Sequence, residues 1–556
     1  MALRAVVFWG VVVASLGVAC GESSGSAPRM IPSAGGDCAA CAGEPGAAGV
    51  PSAFIAGEGG GLAEGGVPNA AAGEPSVPVL GGGGSGGDES AAGEAGAPMA
   101  APADLSLQSI TITQTVEIPL MKAGSAIDDT TRPVPLIAGK RALVRAFVRI
   151  EAWYTARALV GVLDIDTGAS TRSVVSQRTI VTSSKQDDLA SSFVFDVAAD
   201  DVTAGSSYRV RVLEADTTPL LRFPDVGYAS LSPRVLAPFE LVIVPFIVNG
   251  FAPKTSELEL SALSERLRAL YPSSEIALSI ADPVTIGYVV NADGDGWDEA
   301  LDEVYKQRAD AHPDADVFYY GLMAPALSYD DFCPNGCTVG LSVVAPQNDV
   351  DSRGSLGVGV FQDGSGADDA WDTLAHELGH ALGRKHTPCG DPLPEGLDSK
   401  WPTDDAHDDA SLGLYGYDFD LGRLIRPWEA RDVMSYCTPV GMSDYTYAGI
   451  FKRLDYIQNQ SRRVLDSAPP EASRLARIRR DGQSSWLAER HRNGTATPQT
   501  VQLLDAAGRS VGQAQAEVVP LDHRAGGYVW FRARELQVSG AVSVDLRPLG
   551  GGLLAL

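Results

Sequence analysis

The sequence predicts a multidomain α+β protein in which a mixed helix-and-strand region is flanked by all-β sandwich domains and preceded by a disordered linker. Three observations carry this. A Gly-, Ala- and Pro-dominated stretch fills residues 20–104, short alternating runs dominate after it, and helix-spaced apolar residues enter only beyond about residue 235. Residues 1–19 have a positive Arg4, an apolar segment over 5–19 and a small Ala19, the form of a signal peptide. Residues 20–104, with Gly-rich runs at 57–61 and 81–87, cannot bury enough apolar surface to offset ordering entropy and are expected to be a flexible tether. Over 105–234 the runs 109–118, 142–150, 159–165, 192–197 and 208–213 are strand-like and separated by turn residues, which predicts a β-sandwich. In 235–466, strands are expected at 240–245, 276–280 and 317–320, with helices at 256–270, 297–311 and 371–382. Residues 338–345 alternate and are expected to form an edge strand beside a strand at 357–361, a place where an extended peptide can pair by strand addition. Residues 467–556 read as a small C-terminal β domain with strands at 500–504, 527–532 and 542–546.

Residues 376–386 read HELGHALGRKH. On a helix, His376 and His380 lie four residues apart, so both rings leave one face a turn apart and can bind a single tetrahedral zinc ion at roughly 2.0–2.1 Å. Glu377 stands beside the metal without being aimed at it and is expected to be the general base for a water whose pKa the ion lowers towards ~7. Gly383 lets the chain leave the helix through a left-handed residue and return, carrying His386 to the third coordination position. Three imidazoles with an open fourth place suit one catalytic zinc.

Downstream, residues 432–437 read DVMSYC, with 47 residues between His386 and Met434. Together the two strings resemble the metzincin clan of zinc metalloendopeptidases. The resemblance covers roughly residues 236–466 and implies a metzincin-like catalytic domain, with Met434 as a hydrophobic floor under the imidazoles. It also implies Tyr436 as a hydrogen-bond donor to the oxyanion formed at the scissile carbonyl. The long segment between His386 and Met434, and residues 443–447 beyond it, depart from astacins, serralysins and matrix metalloproteinases. They look more like large secreted bacterial zinc proteases of the mucin-degrading type.

Cys20 closes an approximate lipobox, so either a lipid-anchored cell-surface protein or a secreted one is expected from a bacterial cell. The other six cysteines fall into neighbouring pairs, Cys38 with Cys41, Cys333 with Cys337 and Cys389 with Cys437, although six cysteines permit about 15 connectivities. Ligation of zinc by Cys389 is a rival use, and masking of zinc by Cys38 or Cys41 in a pro-segment is another. A net charge of −27 disfavours nucleic acid as a partner. Asp293 with Asp295, and the acidic run 404–409, are the places where calcium is conceivable. The function expected is a monomeric, exported zinc endopeptidase acting on extracellular proteins or glycoproteins and touching a membrane only through a lipid at Cys20. The alternative is a surface adhesin or glycan-binding protein built on a protease-like scaffold, which would have no need of Glu377.

Overall fold

The computed structural model describes residues 102–556 apart from 215–218, 315, 347–348, 350–351, 465–471, 488–489, 492–497 and 523–524. The signal segment, the tether, Cys20, Cys38 and Cys41 lie outside the described residues. The N-terminal strands are β1 (Leu105–Thr113), β2 (Glu117–Lys122), β3 (Ala142–Ile150), β4 (Arg157–Asp166), β5 (Thr171–Ile180), β6 (Phe193–Val197) and β7 (Ser207–Leu213). They fall into two five-stranded sheets, one running β2-β1-β3-β6 and the other β7-β4-β5, each completed by short strands. The run expected as one strand over 109–118 is a hairpin instead. Gln114 breaks it, because its buried amide donates to the carbonyls of Ile137 at 2.7 Å and Lys140 at 2.8 Å and turns the chain there.

The central sheet has the order β9-β8-β10-β12-β11, from β8 (Phe239–Ile247), β9 (Ile276–Ile280), β10 (Phe318–Met323), β11 (Gly340–Ser342) and β12 (Gly354–Val358). The first four are parallel and β11 is antiparallel at the edge. Helices α1 (Glu257–Leu270), α2 (Trp297–Ala311) and α3 (Ala367–Ala381) pack on its faces, and α4 (Asp444–Val464) follows. Strand residues alternate between two cores. Leu241, Ile243, Phe318, Tyr320 and Leu322 join α1, α3, α4 and the N-terminal sheets, whereas Val244, Phe246, Tyr319 and Met323 join α2.

Two expected elements shift. The strand placed at 357–361 runs Gly354–Val358, because it pairs there with Tyr319–Met323, and both its glycines are crowded: a Cβ on Gly357 would meet the Tyr320 hydroxyl, and one on Gly354 would press on the Tyr305 ring at 3.0 Å. The helix placed at 371–382 starts at Ala367, where Gly366 has φ 77° and Asp368 and Asp369 face the positive end of the helix dipole. The C-terminal residues form one eight-stranded antiparallel sheet rather than a two-sheet sandwich, built mainly from β13 (Ala472–Ile478), β14 (Pro498–Leu504), β15 (Ser510–Pro520), β16 (Gly527–Arg532) and β17 (Ser543–Asp545). Its Leu475, Val519, Leu521, Tyr528 and Trp530 belong to the same apolar core as α2 and β11. Among the described residues, no helix is long and apolar enough to cross a membrane.

Candidate metal centre

Helix α3 ends at Ala381, and Gly383 at φ 80° turns the chain out of it. A side chain there would meet the Ala345 carbonyl at 2.7 Å. The chain then returns with His386 held between Gly396 and Asp398 by backbone bonds of 3.1 and 2.8 Å. The result brings His376, His380 and His386 together, all at most 1 % exposed. The Nε2 atom of His380 lies 3.0 Å from that of His376 and 3.0 Å from that of His386. The opposite nitrogens fix the tautomers: Nδ1 of His376 donates to the Val433 carbonyl at 2.7 Å, and Nδ1 of His380 to the Arg384 carbonyl at 2.7 Å. In the neutral rings both Nε2 atoms therefore carry inward lone pairs that cannot bond to each other. A shared cation resolves that conflict, and the cluster can hold a metal ion. Two nitrogens around one tetrahedral ion stand roughly 3.3–3.4 Å apart, so the observed set needs to open by only a few tenths of an ångström.

Glu377 is fully buried beside this trio. Its carboxylate lies against Gly340 of β11, where an added Cβ would sit 2.2 Å from Oε1. Met434 is also fully buried, and its sulfur lies under Gly379, where an added Cβ would be 2.4 Å away. Asp432 holds the turn that presents Met434. One of its carboxylate oxygens accepts from the amide of Met434 at 2.9 Å and the hydroxyl of Thr446 at 3.0 Å, the other from the amide of Ser443 at 3.1 Å. The Tyr436 hydroxyl reaches His386 Nε2 at 3.1 Å. Burial first, then the Asp522 and Glu377 carboxylates, holds that phenol far above its ordinary pKa, so it stays a proton donor. A small pocket opens beside His376, walled by Val433, Tyr436, Thr438 and Val440 with Asp372 at its edge.

Cys389 and Cys437 form a disulfide, as do Cys333 and Cys337, so Cys389 is a tie and not a metal ligand. The disulfides are consistent with an exported protein. Among the described residues, neither acidic loop gathers three metal-ligating atoms. Asp404 instead binds His407, and Asp409 binds Arg431.

One residue without a local sequence signal belongs to the site. Asp522 comes from the turn after β15, its side chain is fully buried, and its Oδ2 lies 3.5 Å from His380 Nε2. Glu377, His380 and Asp522 form a second potential metal-binding group that overlaps the first. Compared with known proteins, the chain matches no protein-family model and no curated protein.

Proposed function

We propose that the chain is a zinc-dependent endopeptidase of metzincin type acting on exported or extracellular proteins. The observation that carries this reading is the convergence of three buried Nε2 atoms on one place with the Glu377 carboxylate alongside. Neutral imidazoles suit zinc better than calcium or magnesium, which prefer oxygen ligands. When bound, zinc supplies Lewis-acid polarisation of the peptide carbonyl and of the attacking water.

The remaining steps belong to this chain's residues. Glu377 takes one proton from the water as its oxygen bonds to the carbonyl carbon. It then returns the proton to the leaving nitrogen as the carbon–nitrogen bond breaks. Tyr436 donates to the oxygen that gains charge. The backbone of β11 offers an extended peptide its hydrogen bonds, with Gly340 placing that strand directly against Glu377.

Elemental analysis is expected to find about one zinc per chain. Glu377→Ala is expected to keep the zinc and the fold while hydrolysis of a denatured protein falls by about 10²-fold or more, and His380→Ala to lose both metal and hydrolysis. Hydrolysis at the unaltered rate by Glu377→Ala, or by zinc-free protein, would remove the reading.

A further inference from the structure

The edge that a substrate strand would use is already paired with the chain's own C-terminal sheet. The amide of Val344 donates to the carbonyl of Pro520 at 3.0 Å, and the amide of Asp522 donates to the carbonyl of Ser342 at 3.2 Å. Val343 stands opposite Leu521 in an antiparallel bridge. These contacts extend the outer edge of β11 by strand addition, the interaction through which an extended peptide binds a sheet edge. Leu521 adds packing, since it shares an apolar core with Leu341 and Val343.

The same register delivers Asp522 to the histidines. Its Oδ2 accepts from the amide of Ser342 at 3.1 Å and stands 3.5 Å from His380 Nε2. That spacing matches the roughly 3.3–3.4 Å between two ligand atoms of one tetrahedral ion. Its side chain has no exposed surface, and it lies within reach of an ion that the imidazoles would hold. Asp522 groups with His380 and Glu377, and a small movement onto the ion that the three imidazoles would hold would fill its fourth tetrahedral place with protein, the closed arrangement of a structural site rather than a catalytic one.

We propose that Asp522 is the fourth ligand of the metal and that the Pro520–Asp522 turn is an intramolecular substrate mimic that holds hydrolysis by the unaltered chain below its full rate. The inference rests on the zinc endopeptidase reading. A tethered occupant competes at a high effective concentration, so a peptide gains the site only once the turn withdraws from β11.

The test uses the full chain with Asp522→Ala and, to guard against misfolding, Asp522→Asn, which keeps an acceptor for the Ser342 amide and weakens the ligand. A peptide hydroxamate that binds zinc through two oxygens is titrated by calorimetry, the visible spectrum of the cobalt-substituted protein is recorded, and hydrolysis of a denatured protein is followed. Both variants are expected to bind the hydroxamate roughly 100-fold more tightly than the unaltered chain, the scale of an intramolecular competitor. Their cobalt spectra should change, and hydrolysis should rise and still vanish when Glu377→Ala is added. Equal hydroxamate affinity and identical spectra in all three proteins would overturn the inference. If affinity and spectra change without any Glu377-dependent hydrolysis, Asp522 stands as the ligand and the endopeptidase reading fails.

Discussion

Glycine 340 shows how closely the site is fitted. A methyl group there would fall 2.2 Å from Oε1 of Glu377 and 2.6 Å from its Cγ, so Gly340→Ala forces the carboxylate or the strand to move. A displacement of about 1 Å in a reacting group costs on the order of 10²-fold in rate. Gly340→Ala, placed in the released Asp522→Asn background, is therefore expected to lower kcat by about that factor with zinc content unchanged. Equal turnover would mean the base does not depend on this contact. His376, Glu377 and His380 are legible in the sequence because helix geometry fixes their relation, and His386 because Gly383 marks where the chain turns back out of the helix. Gly340 and Asp522 are not, since each meets the site only through pairing between strands far apart in the chain. No local pattern distinguishes one turn aspartate from the many others in so acidic a sequence.

At the level of elements, the loop between His386 and α4 is held by a disulfide and by a histidine, among other contacts. The Cys389–Cys437 bridge spans 48 residues, a closure that constrains the unfolded chain by about 4 kcal/mol. His407 makes the second tie, with Nδ1 on Asp404 at 2.7 Å and Nε2 on Asp444, the first residue of α4, at 2.8 Å. Burial works to lower the His407 pKa, but the hydrogen bonds and charges of Asp444 and Asp404 outweigh it and leave the value raised. A histidine whose folded pKa exceeds its unfolded value of about 6.5 stabilises fully below that pH and loses the contribution as pH rises through the folded value. His407→Gln should therefore unfold at lower denaturant than the unaltered chain near pH 6, and the gap should shrink as the pH is raised towards about 9. A gap independent of pH would mean the imidazolium is not what holds the loop. Helices α1 and α2 match their sequence patterns because their apolar spacing agrees with the burial found, whereas strand β9 keeps its expected bounds although only Ile276 of its apolar residues is buried. Helix α4 escapes such a reading. Its first turn, DYTY, has weak helix formers, and its packing face shows only where Tyr447, Ile450, Leu454 and Ile457 meet the core.

Across the molecule, the C-terminal sheet is fixed by more than the turn at the metal centre. Arg477, 5 % exposed at its side chain, pairs with both Asp302 and Glu299 of α2. Tyr528 donates to the second Asp302 oxygen at 2.7 Å and meets Tyr305 edge-on at 5.5 Å. Burial raises the pKa of Asp302 to about 6, with Arg477 and Tyr528 pulling the other way. Removing one member of a largely buried pair typically costs about 3–5 kcal/mol, so Arg477→Ala should lower the unfolding midpoint markedly. Calorimetry is expected to show the described region still melting in one transition. A separate early transition for the C-terminal sheet would contradict the shared core. The β-rich flanks are readable from alternation alone, but their docking is not, because contacts between remote sheets leave no periodic trace in either segment.

The continuity of those cores decides how the protein can be handled. Leu263, Leu374 and Met434 share one apolar cluster with Ile112, Phe193 and Val210 of the N-terminal sheets, while Leu301 and Leu356 share another with Leu475 and Trp530. A gene trimmed to residues 235–466 would encode every histidine of the trio and remove the N-terminal sheets from one core and the C-terminal sheet from the other. Its product is expected to expose apolar core surface and aggregate, and the smallest piece worth expressing runs from 105 to 556.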